Sequence, residues 1–223
     1  MPIAALALLL AIEPHLEAPW SCNDTYSVTQ GNGGQTSHTG FAQFAWDFGM
    51  PLGTEIKAAH AGTVILVKKN SNLGGCSNTY ANDANYVVID HGDGKASLYL
   101  HLQFDSTPQN VGDHVEAGDL VGRVGQTGWS CGPHLHFQVQ NICGSWWCQS
   151  VPSDFYGEGV INLGETMKSE NCGPCGATLA GGETLISESD VTCFDRLTEW
   201  WTDAVEALAG HHWFTYATDA GAP

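Results

Sequence analysis

The chain has 223 residues, 43% of them hydrophobic, which is enough for one sizeable domain, or one domain and a smaller second unit, and excludes global disorder. It carries 7 lysine and arginine residues against 24 acidic ones, for a formal net charge of -17 at pH 7. Such an acidic surface repels phosphate backbones, which excludes nucleic-acid binding, and it offers no electrostatic attraction to anionic membranes or anionic cell-wall polymers.

The chain opens with an apolar run, MPIAALALLLAI, which is too short to span a bilayer. The run resembles the hydrophobic core of a signal peptide, although the positive residues that usually precede such a core are missing, and a buried helix is the alternative. We assign residues 1–18 to a leader or signal-like segment with processing near Ala18. We therefore expect a secreted, periplasmic or extracellular protein without stable membrane insertion.

Short β-strands separated by glycine turns are predicted through residues 19–165. TEIKAAHAGTVILVKK predicts two strands broken at Ala61-Gly62, ANYVVIDHGDGKASLYLHL predicts a hairpin around HGDG, and PHLHFQVQ predicts a further strand. Helical and strand patterns do not alternate in this region. We therefore predict a mainly β fold with an antiparallel sheet at its core.

The pattern changes after residue 165. SENCGPCGATLAGG predicts a disulfide-tied linker, and the apolar residues from Phe194 to Leu208 recur at helical spacing behind Ser187 as a candidate N-cap. We assign residues 166–223 to this linker and a small α-containing C-terminal segment. The end of the chain resembles a strand cut short, which suggests a truncated second module.

Eight cysteines indicate disulfides and an oxidising compartment. Their number leaves the full connectivity open, and we single out only the local pair Cys143–Cys148. CGPC at 172–175 fits a disulfide better than a redox motif or half of a zinc site, because no thioredoxin-like pattern or second closely spaced pair accompanies it. Cys131 could serve a cysteine peptidase as a nucleophile, but we expect it in a disulfide below the following strand.

Two histidines, His134 and His136, occupy alternate positions in PHLHFQVQ. Residues i and i+2 of a strand point to the same face, so the two rings converge on one side while Leu135 and Phe137 face the core. Such a short motif also fits a pair of half-exposed surface histidines. A metal or acid–base site therefore needs further partners.

Partners for this pair occur earlier in the chain. SHTGFAQFAWDFG supplies His38 and Asp47, and SLYLHL supplies His101 at the end of a strand, where alternation groups it with Tyr99 and separates it from the neighbouring leucines. Taken in order, these motifs resemble the lysostaphin/LytM-type zinc metallopeptidases. Their pattern is H…D, an isolated histidine in a Y-x-H-L strand, and H-x-H after a glycine turn, which reads GQTGWSCGPHLHFQV here.

The resemblance covers about half of the chain and implies one Zn²⁺ per chain, bound by His38, Asp47 and His136. His101 and His134 would be the unligated catalytic histidines. Two imidazoles and one carboxylate suit Zn²⁺ and leave one tetrahedral position for water, as in catalytic sites. The family's common form has three residues between histidine and aspartate, whereas eight separate His38 from Asp47 here.

The resemblance further implies a zinc endopeptidase that hydrolyses peptidoglycan stem peptides or cross-bridges, often beside glycine, in a narrow groove floored by the sheet. A Gly-rich protein is the other substrate considered, and we expect a monomer. The alternative function is a non-catalytic zinc-binding or cell-wall-binding module that retains the fold as an activator or interaction domain. The glycine turns around VGDHVEAGDLVGRVGQTG also suit a biotinyl- or lipoyl-type fold, but no lysine occupies a carrier hairpin tip.

The aromatic residues near the candidate site have two interpretations. Trp129, Trp146 and Trp147 either wall the substrate groove or pack the rim of the sheet. Histidines 60, 91 and 114 stand beside glycine or aspartate in turn-like contexts, and we interpret them as surface or turn residues.

Overall fold

The computed structural model describes residues 16–34 and 36–172. By its internal contacts the chain divides into two units, Met1–Gly173 and Pro174–Pro223, and every described residue belongs to the first. The predicted leader up to residue 15 and the predicted helical segment with Ser187, Phe194 and Leu208 lie outside the described residues.

The described residues are almost entirely strand and turn, which confirms the predicted mainly β class. They contain two short 3-10 helices, Gly40–Ala42 and Asn78–Asp83. The strands are β1 (Thr25–Gln30), β2 (Trp46–Gly49), β3 (Glu55–Lys57), β4 (Gly62–Lys68), β5 (Gly74–Gly75), β6 (Tyr86–Asp90), β7 (Lys95–Leu100), β8 (His114–Val115), β9 (Leu120–Arg123), β10 (Gly128–Trp129), β11 (His134–Asn141) and β12 (Thr166–Lys168). None of the helices in this part of the chain is long and apolar enough to cross a bilayer.

Eight of these strands form one antiparallel sheet in the order β12-β1-β2-β11-β7-β6-β4-β8. β3 pairs with β9, and β10 pairs with β5, in two small sheets beside it. The predicted hairpin is β6–β7, and its turn contains Gly92 and Gly94 at φ values of 86° and 83°, a region that favours glycine. β11 lies at the centre of the sheet, between β2 and β7.

The two faces of β11 separate the core from the candidate site. Leu135, Phe137 and Val139 belong to the main hydrophobic cluster, which also contains Trp46 and Tyr99. A second, smaller apolar cluster covers the opposite face, where β6 and β7 contribute its members. The strand period therefore directs the alternate residues, which include both histidines of β11, to that opposite face.

Residues beside both predicted domain boundaries pack onto this sheet. Leu16 and Ala18, which the sequence placed in the leader, are buried in the main cluster. β12, which begins after residue 165, pairs with β1. The boundaries at 18 and 165 stay predictions, but the packed unit includes residues on the far side of each.

Three disulfides join described cysteines, Cys22–Cys172, Cys76–Cys131 and Cys143–Cys148, and no cysteine in that part of the chain is free. The local pair was predicted correctly. Because Cys131 is bonded to Cys76, a nucleophilic role for it is wrong. Cys172 is bonded to Cys22, so the CGPC segment does not form an internal redox pair.

Candidate metal centre

Asp47 and His136 meet across neighbouring strands. They are direct partners in the register of β2 and β11, although 89 positions separate them in the chain. Direct partners in an antiparallel pair share a face, so their side chains converge. The Nδ1 atom of His136 lies 2.9 Å from Oδ1 of Asp47.

His38 reaches Asp47 from the loop between β1 and β2. Its Nε2 atom lies 3.1 Å from Oδ1 of Asp47, and its side chain is fully buried. The eight residues between them do not separate the pair, because the intervening segment folds back. Ser150 donates its backbone N–H to the carbonyl of Phe41, and Gly33 donates to the carbonyl of Gln43.

His101 follows β7 at a bend in the backbone. Its φ of 67° lies in the left-handed region, which is uncommon for residues other than glycine. In the register, Leu98 and Leu100 share the site face with Gln138 and His136, whereas Tyr99 packs in the main core. The predicted grouping of His101 with Tyr99 is therefore wrong, because the bend turns the His101 ring away from the face that simple alternation assigns to it.

The Nδ1 atom of His101 donates to the carbonyl of Thr127 at 2.7 Å. The Thr127 hydroxyl in turn donates to the carbonyl of Leu102 and accepts from the backbone N–H of Asn85. All these groups are buried. The ring is therefore held by a network of satisfied hydrogen bonds with its Nε2 atom left free.

His134 stands at the start of β11 beside His101, with the two ring centroids 4.7 Å apart. Its Nδ1 atom donates to the carbonyl of Gly132 at 2.9 Å, and the Ser130 hydroxyl donates to the same carbonyl. The Nε2 atom of His134 lies 3.7 Å from Oδ1 of Asp47. Both His101 and His134 thus use Nδ1 to bind backbone and leave Nε2 available.

The Asp47 carboxylate carries the negative charge of the site. Burial by itself raises the pKa of this carboxyl, but hydrogen bonds with His136 and His38 and charge interactions with His136 and His134 outweigh burial and hold the pKa well below its usual range. Gln30 donates its Nε2–H to the other oxygen, Oδ2, at 3.0 Å. Gln30 itself is fixed because its Oε1 accepts from the backbone N–H groups of Thr36 and Ser37. Asp47 therefore stays ionised and presents Oδ1 to the histidines.

His38, Asp47 and His136 could hold a metal ion, and the hydrogen bonds of the two histidine rings support this interpretation. The ligand atoms of His38, Asp47 and His136 lie within 4.8 Å of one another. Nδ1 of His38 lies 2.9 Å from the carbonyl of Gly31, and Nε2 of His136 lies 3.2 Å from Oε1 of Gln138. Both partners are acceptors, so in the neutral form of each ring these nitrogens carry the proton and the opposite nitrogen presents a lone pair toward the Asp47 oxygen. In that form three electron-pair donors face one point where a cation would fit, and this donor set suits Zn²⁺.

His101 is neutral in this setting. Burial, together with the neighbouring His134 and His136, lowers its pKa to about 3. Its free Nε2 atom therefore carries a lone pair at neutral pH. Such a nitrogen can accept a proton.

The tryptophans near the site were predicted either to wall a substrate groove or to pack the rim of the sheet. Trp147 lies against His136 with ring centroids 5.5 Å apart, and Trp146 stacks on Tyr86 at 5.1 Å. Both are half-buried and cover the site face of the sheet, whereas Trp129 is 46% exposed. Trp146 and Trp147 thus pack on this face of the sheet, and Trp147 also lies beside His136.

The other histidines among the described residues bond to partners outside this group of five. His114 is exposed beside Glu116, which agrees with the surface prediction. His60 and His91 are half-buried, with their rings 4.9 Å apart, and both donate Nδ1–H to the carbonyl of Ala61. They occupy the turns that flank β4 and β6, as predicted, but they are more buried than surface turn residues.

Sequence reasoning missed the residues that orient three of the five side chains: Gln30 binds Asp47, Thr127 binds His101 and Gln138 binds His136. Gln30 and Thr127 act across 17 and 26 positions of chain, and no local pattern marks such partners. Gln138 did have a signal, because it follows His136 at the next same-face position of PHLHFQVQ.

Residues 42–149 match the model of peptidase family M23. Lysostaphin from Staphylococcus simulans is 36% identical over 100 residues, which are 44% of this chain and 18% of lysostaphin. The peptidoglycan DD-endopeptidase ShyA from Vibrio cholerae is 34% identical over 93 residues, 42% of this chain and 19% of ShyA.

Among solved structures, the catalytic domain of the prophage-encoded M23 protein EnpA from Enterococcus faecalis is 30% identical. The match covers 65% of this chain and 96% of that domain, with a TM-score of 0.46. The chain spans about a fifth of the length of the two curated relatives.

Proposed function

Because the chain belongs to peptidase family M23 through residues 42–149, we propose that it is a secreted zinc-dependent endopeptidase that hydrolyses peptide bonds of bacterial peptidoglycan. The observation that carries the proposal is the convergence of His38, Asp47 and His136 around one point, with His101 and His134 beside them. A site built for binding alone has no need of two further histidines with free Nε2 atoms. The non-catalytic alternative is therefore not favoured.

In this proposal one Zn²⁺ is held by Nε2 of His38, Oδ1 of Asp47 and Nδ1 of His136. When bound, the ion supplies an activated water and polarises the carbonyl of the scissile peptide bond.

His101 and His134 move protons at their Nε2 atoms. Nδ1 of His101 carries the proton that binds the carbonyl of Thr127, so Nε2 presents a lone pair that can accept a proton from the water. Protonation of the leaving amine and stabilisation of the oxyanion require a donor. Nε2 of His134, close to both Asp47 and His101, can serve as this donor when the ring is protonated, because Nδ1 already donates to the carbonyl of Gly132.

The substrate class rests on the named relatives, which include lysostaphin and peptidoglycan DD-endopeptidases. Trp147 lies directly against His136 and narrows the space beside the site. A narrow groove favours small residues, so we propose glycine on at least one side of the cleaved bond. Three disulfides among the described residues suit an oxidising, extracytoplasmic location.

We expect the purified protein to contain about one zinc ion per chain and to release new amino termini from peptidoglycan. Cleavage should stop when a chelator removes the metal and should return when zinc is restored. Mass spectrometry of the new termini, with pentaglycine and pentaalanine peptides in parallel, identifies the bond. A protein that cleaves both peptidoglycan and peptides equally well after complete zinc removal would exclude this function.

The negative charge of the protein predicts an unusual response to salt. A chain with a net charge of -17 is repelled by anionic wall polymers, and raising ionic strength from about 0.01 M to about 0.1 M shortens the screening length from about 30 Å to about 10 Å. Hydrolysis of intact cell walls should therefore accelerate several-fold. Cleavage of a short uncharged glycine peptide serves as the control and should change little. An equal response of both substrates would show that salt acts on the enzyme itself and not on its repulsion from the cell wall.

A further inference from the structure

Two buried glutamines follow the site along β11. Gln138 and Gln140 are 0% and 1% exposed, and they lie opposite Leu98 and Ala96 of β7 in the register. Their neighbours on this face are otherwise apolar. An apolar side chain would fill both positions without the need to satisfy a buried amide, so packing does not explain these residues.

The orientation of Gln140 is determined by the backbone of the loop that the Cys143–Cys148 disulfide closes. Its Oε1 accepts from the N–H of Cys148 at 3.1 Å, and its Nε2 donates to the carbonyl of Trp146 at 3.0 Å. A backbone N–H can only donate and a carbonyl can only accept, so the amide of Gln140 cannot be reversed without losing both bonds.

Gln138 is oriented in turn by Gln140. Its Nε2 donates to Oε1 of Gln140 at 2.8 Å and to the carbonyl of Cys148 at 3.3 Å. Its Oε1 therefore faces Nε2 of His136, at 3.2 Å. An oxygen at this place accepts a hydrogen bond from the ring, so it favours the tautomer in which Nε2 of His136 carries the hydrogen and Nδ1 carries the lone pair.

We propose that Gln138 and Gln140 form a relay that holds His136 in the Nε2–H tautomer, with Nδ1 presented to the metal, and thereby sets the affinity of the site for zinc. The relay rests on the proposed zinc site. Gln138 and Gln140 are positioning residues, because they act through His136. Partners of this kind fix the tautomer and orientation of a ligating histidine, and their loss weakens metal affinity.

The decisive variant is Gln138→Met, which keeps the length of the side chain but removes the acceptor. We expect the zinc dissociation constant, measured by competition with a chromogenic chelator, to rise about 10- to 100-fold. In the zinc-free protein, at a pH where the ring is neutral, Asp47 and Gln138 compete for the His136 proton at Nδ1 and Nε2. ¹⁵N NMR should therefore show a larger share of that proton on Nε2 in the wild type than in the variant.

Gln138→Glu separates positioning from folding. One carboxylate oxygen still accepts from His136, whereas the other faces Oε1 of Gln140 and the carbonyl of Cys148, which repel it. Zinc affinity should stay within a few-fold of wild type while the melting temperature of the zinc-free protein falls. A purely structural role would instead make zinc affinity follow the melting temperature in both variants.

Gln109→Met is the matched control, because Gln109 is also partly buried but bonds to the carbonyl of Leu120 in another part of the unit. It should leave zinc affinity unchanged. Wild-type affinity and tautomer in folded Gln138→Met would overturn the relay. These measurements need no peptide cleavage, so the relay can stand if the proposed activity fails. If the wild type bound no zinc, the proposed zinc site would be refuted. The zinc-free NMR experiment would still decide whether Gln138 sets the tautomer of His136.

Discussion

His136→Ala is expected to abolish peptide cleavage and to weaken zinc binding by more than about 100-fold, since even partners behind a ligand contribute about 10- to 100-fold. The substitution removes one of the three atoms that converge at the site, and it leaves the Asp47 carboxylate facing His38 without its nearest partner. Zinc content by atomic spectroscopy and cleavage of a glycine peptide measure the two effects.

His114→Ala is the matched control for this experiment. His114 is exposed and lies beside Glu116, away from the sheet face that carries the site, so its removal should change neither zinc content nor activity. The melting temperature of chelator-treated His136→Ala, compared with chelator-treated wild type, separates loss of metal from loss of fold. Retention of stoichiometric zinc and full cleavage by His136→Ala would refute the proposed site.

His101→Asn is expected to lower kcat by about 10²- to 10⁴-fold while zinc stays bound at wild-type stoichiometry, because removal of a proton-transfer group has effects of this size. His101 binds Thr127 through Nδ1 and offers only Nε2 to the site. Asparagine is the suitable replacement since it tolerates the positive φ at this position better than alanine does. The shorter side chain removes the ring nitrogen without forcing the bend to straighten.

His134→Ala should give the same separation, with kcat reduced and zinc retained, because its Nε2 lies 3.7 Å from the carboxylate and outside the group of three ligand atoms. Zinc content and KM are measured alongside kcat for both variants. If either substitution released the metal, the assignment of that histidine as an unligated catalytic residue would be wrong. His134 would then be the first residue to test as a metal ligand in place of one of the three.

Several features of this protein follow from local sequence. The alternation in PHLHFQVQ is sufficient to place His134 and His136 on one face of β11 and Leu135 and Phe137 in the core, because the strand period acts between residues two positions apart. The β6–β7 hairpin and the Cys143–Cys148 disulfide are local in the same sense. In each case the interacting residues are near neighbours in the chain.

The tertiary structure decided how those residues are brought together. The register of β2 against β11 places Asp47 opposite His136, and the folded-back loop returns His38 to the same oxygen. The bend at His101 reversed the face that alternation predicts. The distant disulfides, such as Cys22–Cys172, could not be chosen among the possible pairings from sequence. Long-range pairings depend on the packing of the whole sheet, and a pattern that acts over a few residues contains no information about them.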